Sequence, residues 1–258
     1  MPDDIRRDFR RRDALPVKLA LLRRVYETYD EVAAGFKSAC GMSCATCCTQ
    51  NVLSTSIEAE FLLQHIESSG GTGLVTRNLH QVCPRRMQPA LTINSLVEYC
   101  LNSVEIPEPQ QEERHTVCPL LENSGCPVYA ARPFACRSMW SQETCRPQGE
   151  AVMNPILVSV NGVFQQIIED FDRGGMYGNV LDLLSFLSKP GQREIYLSGG
   201  EAEPHNRLLR TVPNPGFPVP PEHRPYVMKW LNRLWERKAA GLPFREAVLK
   251  LREMWSSR

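Results

Sequence analysis

Apolar side chains near the start of the chain recur at alternating steps of four and three. Leu15, Leu19, Leu22, Tyr26, Tyr29, Ala33 and Phe36 form one such stripe. That spacing puts them on one face of a helix running from about Ala14 to Lys37. Pro16 is tolerated because it falls in the first turn. The stripe fits a coiled coil or a helix packed within one domain, and the packed helix is expected at this length. The rhythm runs on to Cys40, Cys44 and Cys47. Gly41 signals a stop, since glycine is the usual residue just past a helix end. Cys40 is therefore expected at the helix end and Cys44–Cys48 in the turn after it.

A second helix begins at Thr55-Ser56-Ile57-Glu58, where Thr55 and Glu58 have capping-box spacing. Ile57, Phe61, Leu62 and Ile66 supply its apolar face, Gly70-Gly71 ends it, and His65 falls on its surface. Residues 88–104 predict another helix with Leu91, Leu96, Val97 and Cys100 inward, which makes Cys100 a core residue. The pattern then lapses. Pro107 and Pro109 mark an exposed connection, and residues 118–147 are rich in proline and turn formers. Periodicity returns with Val163, Ile167, Ile168 and Phe171, and again over Val180 to Leu187. Asp170-Phe171-Asp172 with Gly174-Gly175 reads as an acidic loop without the ligand spacing of a calcium loop. From Pro204 to Pro225 the prolines predict an extended arm, packed or tethering. Val227, Leu231 and Leu234 stripe one further helix. Gly241 closes it, and Pro243 opens a last helix with Phe244, Val248, Leu251 and Trp255 on one face. The pair predicts a helical hairpin on the main body.

The expected fold class is mainly α, with helices packed around an irregular cysteine-rich metal-binding segment. Its parts are a flexible N-terminus over 1–13, a helical domain over 14–200 containing the cysteine region at about 40–146, a proline-rich arm over 201–225, and the hairpin over 226–258.

Charge narrows the function classes. Thirty basic residues meet 29 acidic ones, for a net charge of +1, so no nucleic-acid surface is expected. No apolar run has the length to span a bilayer. The opening Met1-Pro2-Asp3-Asp4-Ile5-Arg6 is not a secretory signal, and a cytoplasmic setting is expected.

Cysteine carries the chemistry. All ten lie between residues 40 and 145, whereas cysteines used as small core residues would be scattered. Disulfides belong mainly to oxidising compartments, so a disulfide framework is disfavoured. Thiolates are soft ligands for zinc, copper(I) and iron–sulfur clusters. Cys44-x2-Cys47 has the close-pair spacing of thiolate knuckles. The candidate metal ligands are Cys40, Cys44, Cys47, Cys48, Cys118, Cys126, Cys136 and Cys145. Eight thiols make two four-thiolate sites, or one cluster with reserve ligands. Neighbouring side chains diverge, so Cys47 and Cys48 are expected to part, one of them serving a second metal or staying a free thiol. Zinc and an iron–sulfur cluster both take four cysteines, and the choice between them stays open. Arg132, Arg137 and Arg146 are spaced to offset thiolate charge, although Arg146 reads as solvated. Tyr129 and Trp140 are expected to wall the site. Cys83 and His115 are left open as ligands.

The segment Cys118-Pro119-Leu120-Leu121 followed by Cys126-Pro127-Val128-Tyr129-Ala130-Ala131-Arg132-Pro133-Phe134-Ala135-Cys136-Arg137 resembles the YkgJ-type cysteine-cluster family. The family's opening is Cys-x2-Cys-x2-Cys-Cys. This chain has three residues rather than two between Cys40 and Cys44. The resemblance covers roughly residues 40–146. It implies a zinc- or iron-chelating domain, with Cys145 as a further family cysteine and a distant likeness to flagellin lysine N-methylases. The function expected is binding of zinc or an iron–sulfur cluster, in a structural, storage or electron-transfer role. The alternatives are a cluster-dependent protein-modifying enzyme of the lysine N-methylase kind and a metal-stabilised interaction module whose partner is another protein. No glycine-rich cofactor loop or catalytic triad pattern is present.

Overall fold

The computed structural model describes residues 11–41, 44–71, 82–107, 116–146, 150–201, 203–204 and 207–256. His115, Pro109 and the first ten residues of the expected flexible N-terminus lie outside the described residues.

The fold is mainly α. Helix α1 (Ala14–Ala33) follows a short 3-10 turn at Arg11–Asp13. It ends sooner than its stripe implies, because Gly35 and Phe36 turn back onto the carbonyls of Val32 and Ala33. The amide of Ala39 then donates to Ser141 O at 2.8 Å. Cys40 therefore sits in irregular chain drawn toward the second cysteine segment, not at a helix end. Strand β1 (Leu53–Thr55) leads into α2 (Ser56–Ser68) through the expected capping box. Gly70, at φ +73°, lets the amide of Gly71 return to Ile66 O and stop the helix.

Helix α3 covers only Ile93–Leu101, since the Thr92 side chain caps Ser95 N. Asn94 fixes its rotation. The Asn94 amide donates to Glu169 Oε2 at 2.8 Å, and its side chain donates to the carbonyls of Gln166 and Val212. Asn94 and Val97 face inward as a result, and Cys100 is exposed rather than in the core. A polar anchor has overridden the apolar pattern.

After α4 (Phe134–Arg137) come α5 (Pro155–Phe171), β2 (Met176–Asn179), α6 (Val180–Leu187) and α7 (Pro190–Leu197). Asn154 and Asn179 cap α5 and α6 with their side chains. Strand β3 (Leu209–Arg210) completes an antiparallel sheet in the order β1-β2-β3, with Leu53 opposite Asn179 and Met176 opposite Arg210. These strands are too short to announce themselves by alternation. Helix α8 (Arg224–Glu236) and helix α9 (Phe244–Ser256) are joined by the two-stranded ribbon β4 (Lys238–Ala239) and β5 (Leu242–Pro243).

Two apolar clusters form the core. The first packs α1, α5, α8 and α9 with Phe134. The second packs α2 and α6 with Leu120, Val128 and Met176. The proline-rich arm is packed: Gln166 Nε2 donates to Gly216 O at 2.7 Å, and Val219 is buried. Asp170-Phe171-Asp172 is not an acidic loop. Asp170 and Phe171 end α5, and Asp172 is buried against Lys18 at 3.0 Å, with Tyr196 and the Ile57 amide as further donors. Among the described residues no helix is long and apolar enough to cross a membrane.

Candidate metal centre

Two turns of one construction carry the downstream thiols. In Cys118-Pro119-Leu120-Leu121 and in Cys126-Pro127-Val128-Tyr129 the fourth amide donates to the first carbonyl at 3.1 Å. Proline presets the second position of such a turn. The third residue acts twice. Leu120 and Val128 anchor the turns in the second core cluster. Their amides, with that of Leu121, also favour the charged forms of Cys118 and Cys126, against the rise from burial.

Cys136 arrives on α4, which is too short to stand alone and is held from both sides. Phe134 packs edge-on against Tyr29, with ring centroids 4.7 Å apart. The Phe134 amide donates to Glu58 Oε1 at 2.6 Å. Glu58 in turn accepts from Tyr26 Oη, Ser54 Oγ and the Thr55 amide. Arg137 Nη1 donates to both oxygens of Asp30 at 2.9 and 3.0 Å, and the guanidinium lies 4.4 Å from the Tyr26 ring centre. Its charge is thus already paired. Arg132 stacks on Tyr129 at 3.7 Å and donates to the Tyr129 carbonyl. Arg146 is exposed, as expected.

The two cysteine segments are joined backbone to backbone. Thr49 and Val117 form an antiparallel bridge. Beside it the Cys118 amide donates to Cys48 O at 2.9 Å, and the Gln50 amide donates to Thr116 O at 3.0 Å. Farther upstream, Ser141 N donates to Cys40 Sγ at 3.3 Å. Amide-to-sulfur bonds of this kind orient thiolate ligands and tune clusters.

One cavity of about 400 Å³ gathers Cys40, Cys44, Cys47, Cys48, Cys118, Cys126 and Cys136. Tyr129, Arg132, Arg137 and Trp140 also line it, and Leu62, Leu120, Val128 and Val180 give it an apolar wall. Cys145 lies outside that lining, and so does Cys83, whose amide donates to Gln50 Oε1. Cys47 and Cys48 both line the cavity. A hydrogen bond between them raises the Cys47 thiol and lowers that of Cys48. Burial pushes Cys136, Cys118 and Cys126 up. The Cys118, Cys126 and Cys47 sulfurs nearby, when charged, push Cys136 further, and Arg132 opposes the shift at Cys126 and Cys136.

Among the described residues, no group of three or more histidine, cysteine, aspartate or glutamate side chains is drawn together as one metal ion requires. The thiols share a cavity without sharing a coordination sphere. The donor set nonetheless fits a soft metal: the side chains are sulfur, an amide donates to Cys40 Sγ, and nearby amides favour the charged forms of Cys118 and Cys126. The indole nitrogen of Trp140, buried in the same wall, has no hydrogen-bond partner among the described residues.

Sequence reasoning missed Glu58 and Ser141 as positioning residues. The capping-box pattern exposes Glu58 but not its reach to Phe134. Ser141 carries no local signal, because its contacts with Ala39 and Cys40 are long-range. No family model, curated protein or solved structure matches the chain.

Proposed function

We propose that this protein binds zinc or an iron–sulfur cluster on cysteine thiolates contributed by both segments. The observation that carries the reading is the single cavity lined by seven of the eight candidate thiols. The bound group would supply either a structural cross-link or an electron-transfer centre. The chain's own residues hold Cys136 through Glu58 and Phe134, orient Cys118 and Cys126 through turn amides, and set Arg132 against the thiolate charge. The likeness of residues 118–137 to the YkgJ-type signature supports the same reading.

A second reading is a cluster-dependent protein-modifying enzyme. The apolar wall of the cavity and the exposure of Cys44 and Cys47 favour it, because a purely structural site would be closed over.

Metal and acid-labile sulfide analysis of anaerobically purified protein, with its visible spectrum, tests the proposal. Iron with sulfide and a brown chromophore, or stoichiometric zinc in colourless protein, supports it. Folded protein holding neither, and taking up neither on reconstitution, overturns it.

A further inference from the structure

A second cavity, of about 510 Å³, lies away from the cysteines, between α8, α9, the end of α5 and the proline-rich arm. We propose that it binds a small organic anion, a carboxylate carried on a flat apolar body. The inference goes beyond the metal-binding reading and does not depend on it.

Two helix faces make the walls. Met228, Asn232 and Trp235 follow one another on α8 at steps of four and three, and Arg245, Leu249 and Arg252 do the same on α9. Those steps put each trio on one face of its helix. Trp235 packs on Phe244 with ring centroids 5.4 Å apart, so the end of α8 meets the start of α9. Buried Ile167 and Val248 supply the floor. The arm supplies the rim, and internal bonds hold it. The Asn214 amide donates to Asp170 Oδ1 at 3.1 Å, the Gly216 amide donates to Asn214 Oδ1 at 2.6 Å, and Gln166 Nε2 donates to Gly216 O. A preformed, largely apolar cavity of this size with a few polar groups suits a small ligand.

Charge selects which one. Asp170, Arg245 and Arg252 are the charged residues of the lining, for a net charge of +1. The Asp170 side chain is buried and already accepts from Arg173 at 2.9 Å and from Arg252 at 3.0 Å. Arg252 commits its Nε and Nη2 to that carboxylate. Arg245 has no hydrogen bond or ion pair among the described residues. Glu236 and Glu246 line the adjoining hollow with Arg245, but neither forms a salt bridge with it, and Glu246 pairs with Lys250 at 3.6 Å. Arg245 is thus the cation open to an incoming carboxylate, whose two oxygens its planar fork matches. Trp235 and Phe217 offer rings to the body of the ligand. Met228 and Leu249 in the same lining are each 45% exposed, and a bound apolar group would cover them.

The test is calorimetric titration of the full-length chain with naphthoate and with its neutral counterpart, naphthalenemethanol. The expected result is one naphthoate per chain, bound about tenfold or more tighter than the alcohol, as a charge-assisted hydrogen bond provides. Arg245→Gln should lower naphthoate to the affinity of the alcohol and leave the alcohol unchanged, and Arg245→Lys should keep part of the difference. Leu249→Glu should abolish binding of both. Both positions are exposed, so these variants are expected to fold, which circular dichroism checks. No naphthoate binding at millimolar concentration overturns the inference. So does equal binding of acid and alcohol, or naphthoate binding that survives Arg245→Gln. A dimer in sedimentation that Leu249→Glu dissociates would assign the face to a second copy of the chain and overturn it as well. Metal content is read separately, so failure here leaves the metal-binding proposal standing.

Discussion

Glu58 Oε1 accepts from the amide of Phe134 at 2.6 Å, two residues ahead of Cys136. A carboxylate that begins one helix thereby also fixes the start of the helix that delivers a thiol. Burial raises the Glu58 pKa, against the pull of its donors. Removing it leaves several buried donors unmatched, each worth about 1–3 kcal/mol. Glu58→Ala is expected to destabilise the fold by about 3 kcal/mol in urea unfolding and to lower metal occupancy. Glu58→Gln should recover part of both. Unchanged metal content in a folded Glu58→Ala protein would remove its positioning role.

Substitution of individual cysteines should follow the cavity. Cys44→Ser, Cys118→Ser and Cys136→Ser are expected to reduce bound metal, measured by elemental analysis. Cys100→Ser, on the exposed side of α3, should leave it unchanged. Full occupancy in all three of the first set would sink the site.

Chelation should act locally. Residues 116–146 contribute few side chains to the core, whereas α1, α5, α8 and α9 share a large one. Metal removal is expected to open the cysteine segments to proteolysis while helical circular dichroism is largely kept. Loss of the whole helical signal would mean that the metal holds the entire fold.

Lys18 and Asp172 form a buried ion pair at 3.0 Å, with the Lys18 ammonium 5.0 Å from the ring centres of both Tyr196 and Trp255. Removing one partner leaves a buried charge uncompensated. Lys18→Met is expected to lower unfolding stability by about 3–5 kcal/mol. A loss below 1 kcal/mol, measured by urea denaturation, would show that Asp172 is satisfied by its other donors alone.

Glu169 accepts from the amides of Asn94 and Val212 at 2.8 and 2.9 Å, tying α5 to α3 and to the chain after β3. Burial raises its pKa to about 7. The folded value thus exceeds the unfolded one, so its contribution to stability is complete below about pH 4.5 and is lost as pH rises through about 7. Urea midpoints at pH 5 and pH 8 should differ less in Glu169→Gln than in the natural chain. An equal difference in both would exclude Glu169 as the source.

The sequence by itself determined the parts whose causes are local. The capping box at Thr55 and Glu58, the glycines ending α2, and the apolar stripes of α1, α5, α8 and α9 were all legible. The turn-rich character of residues 118–147 was legible too, but the two Cys-Pro turns within it, each anchored by a buried third residue, appeared only in the structure. Tertiary structure decided what depends on distant partners. It ended α1 early and drew Cys40 to Ser141. It turned Asn94 inward and left Cys100 outside. It made Asp172 the partner of Lys18, and it gathered seven thiols into one cavity while leaving Cys145 out. Those outcomes follow from hydrogen bonds and packing between segments far apart in the chain, which periodicity and spacing do not encode.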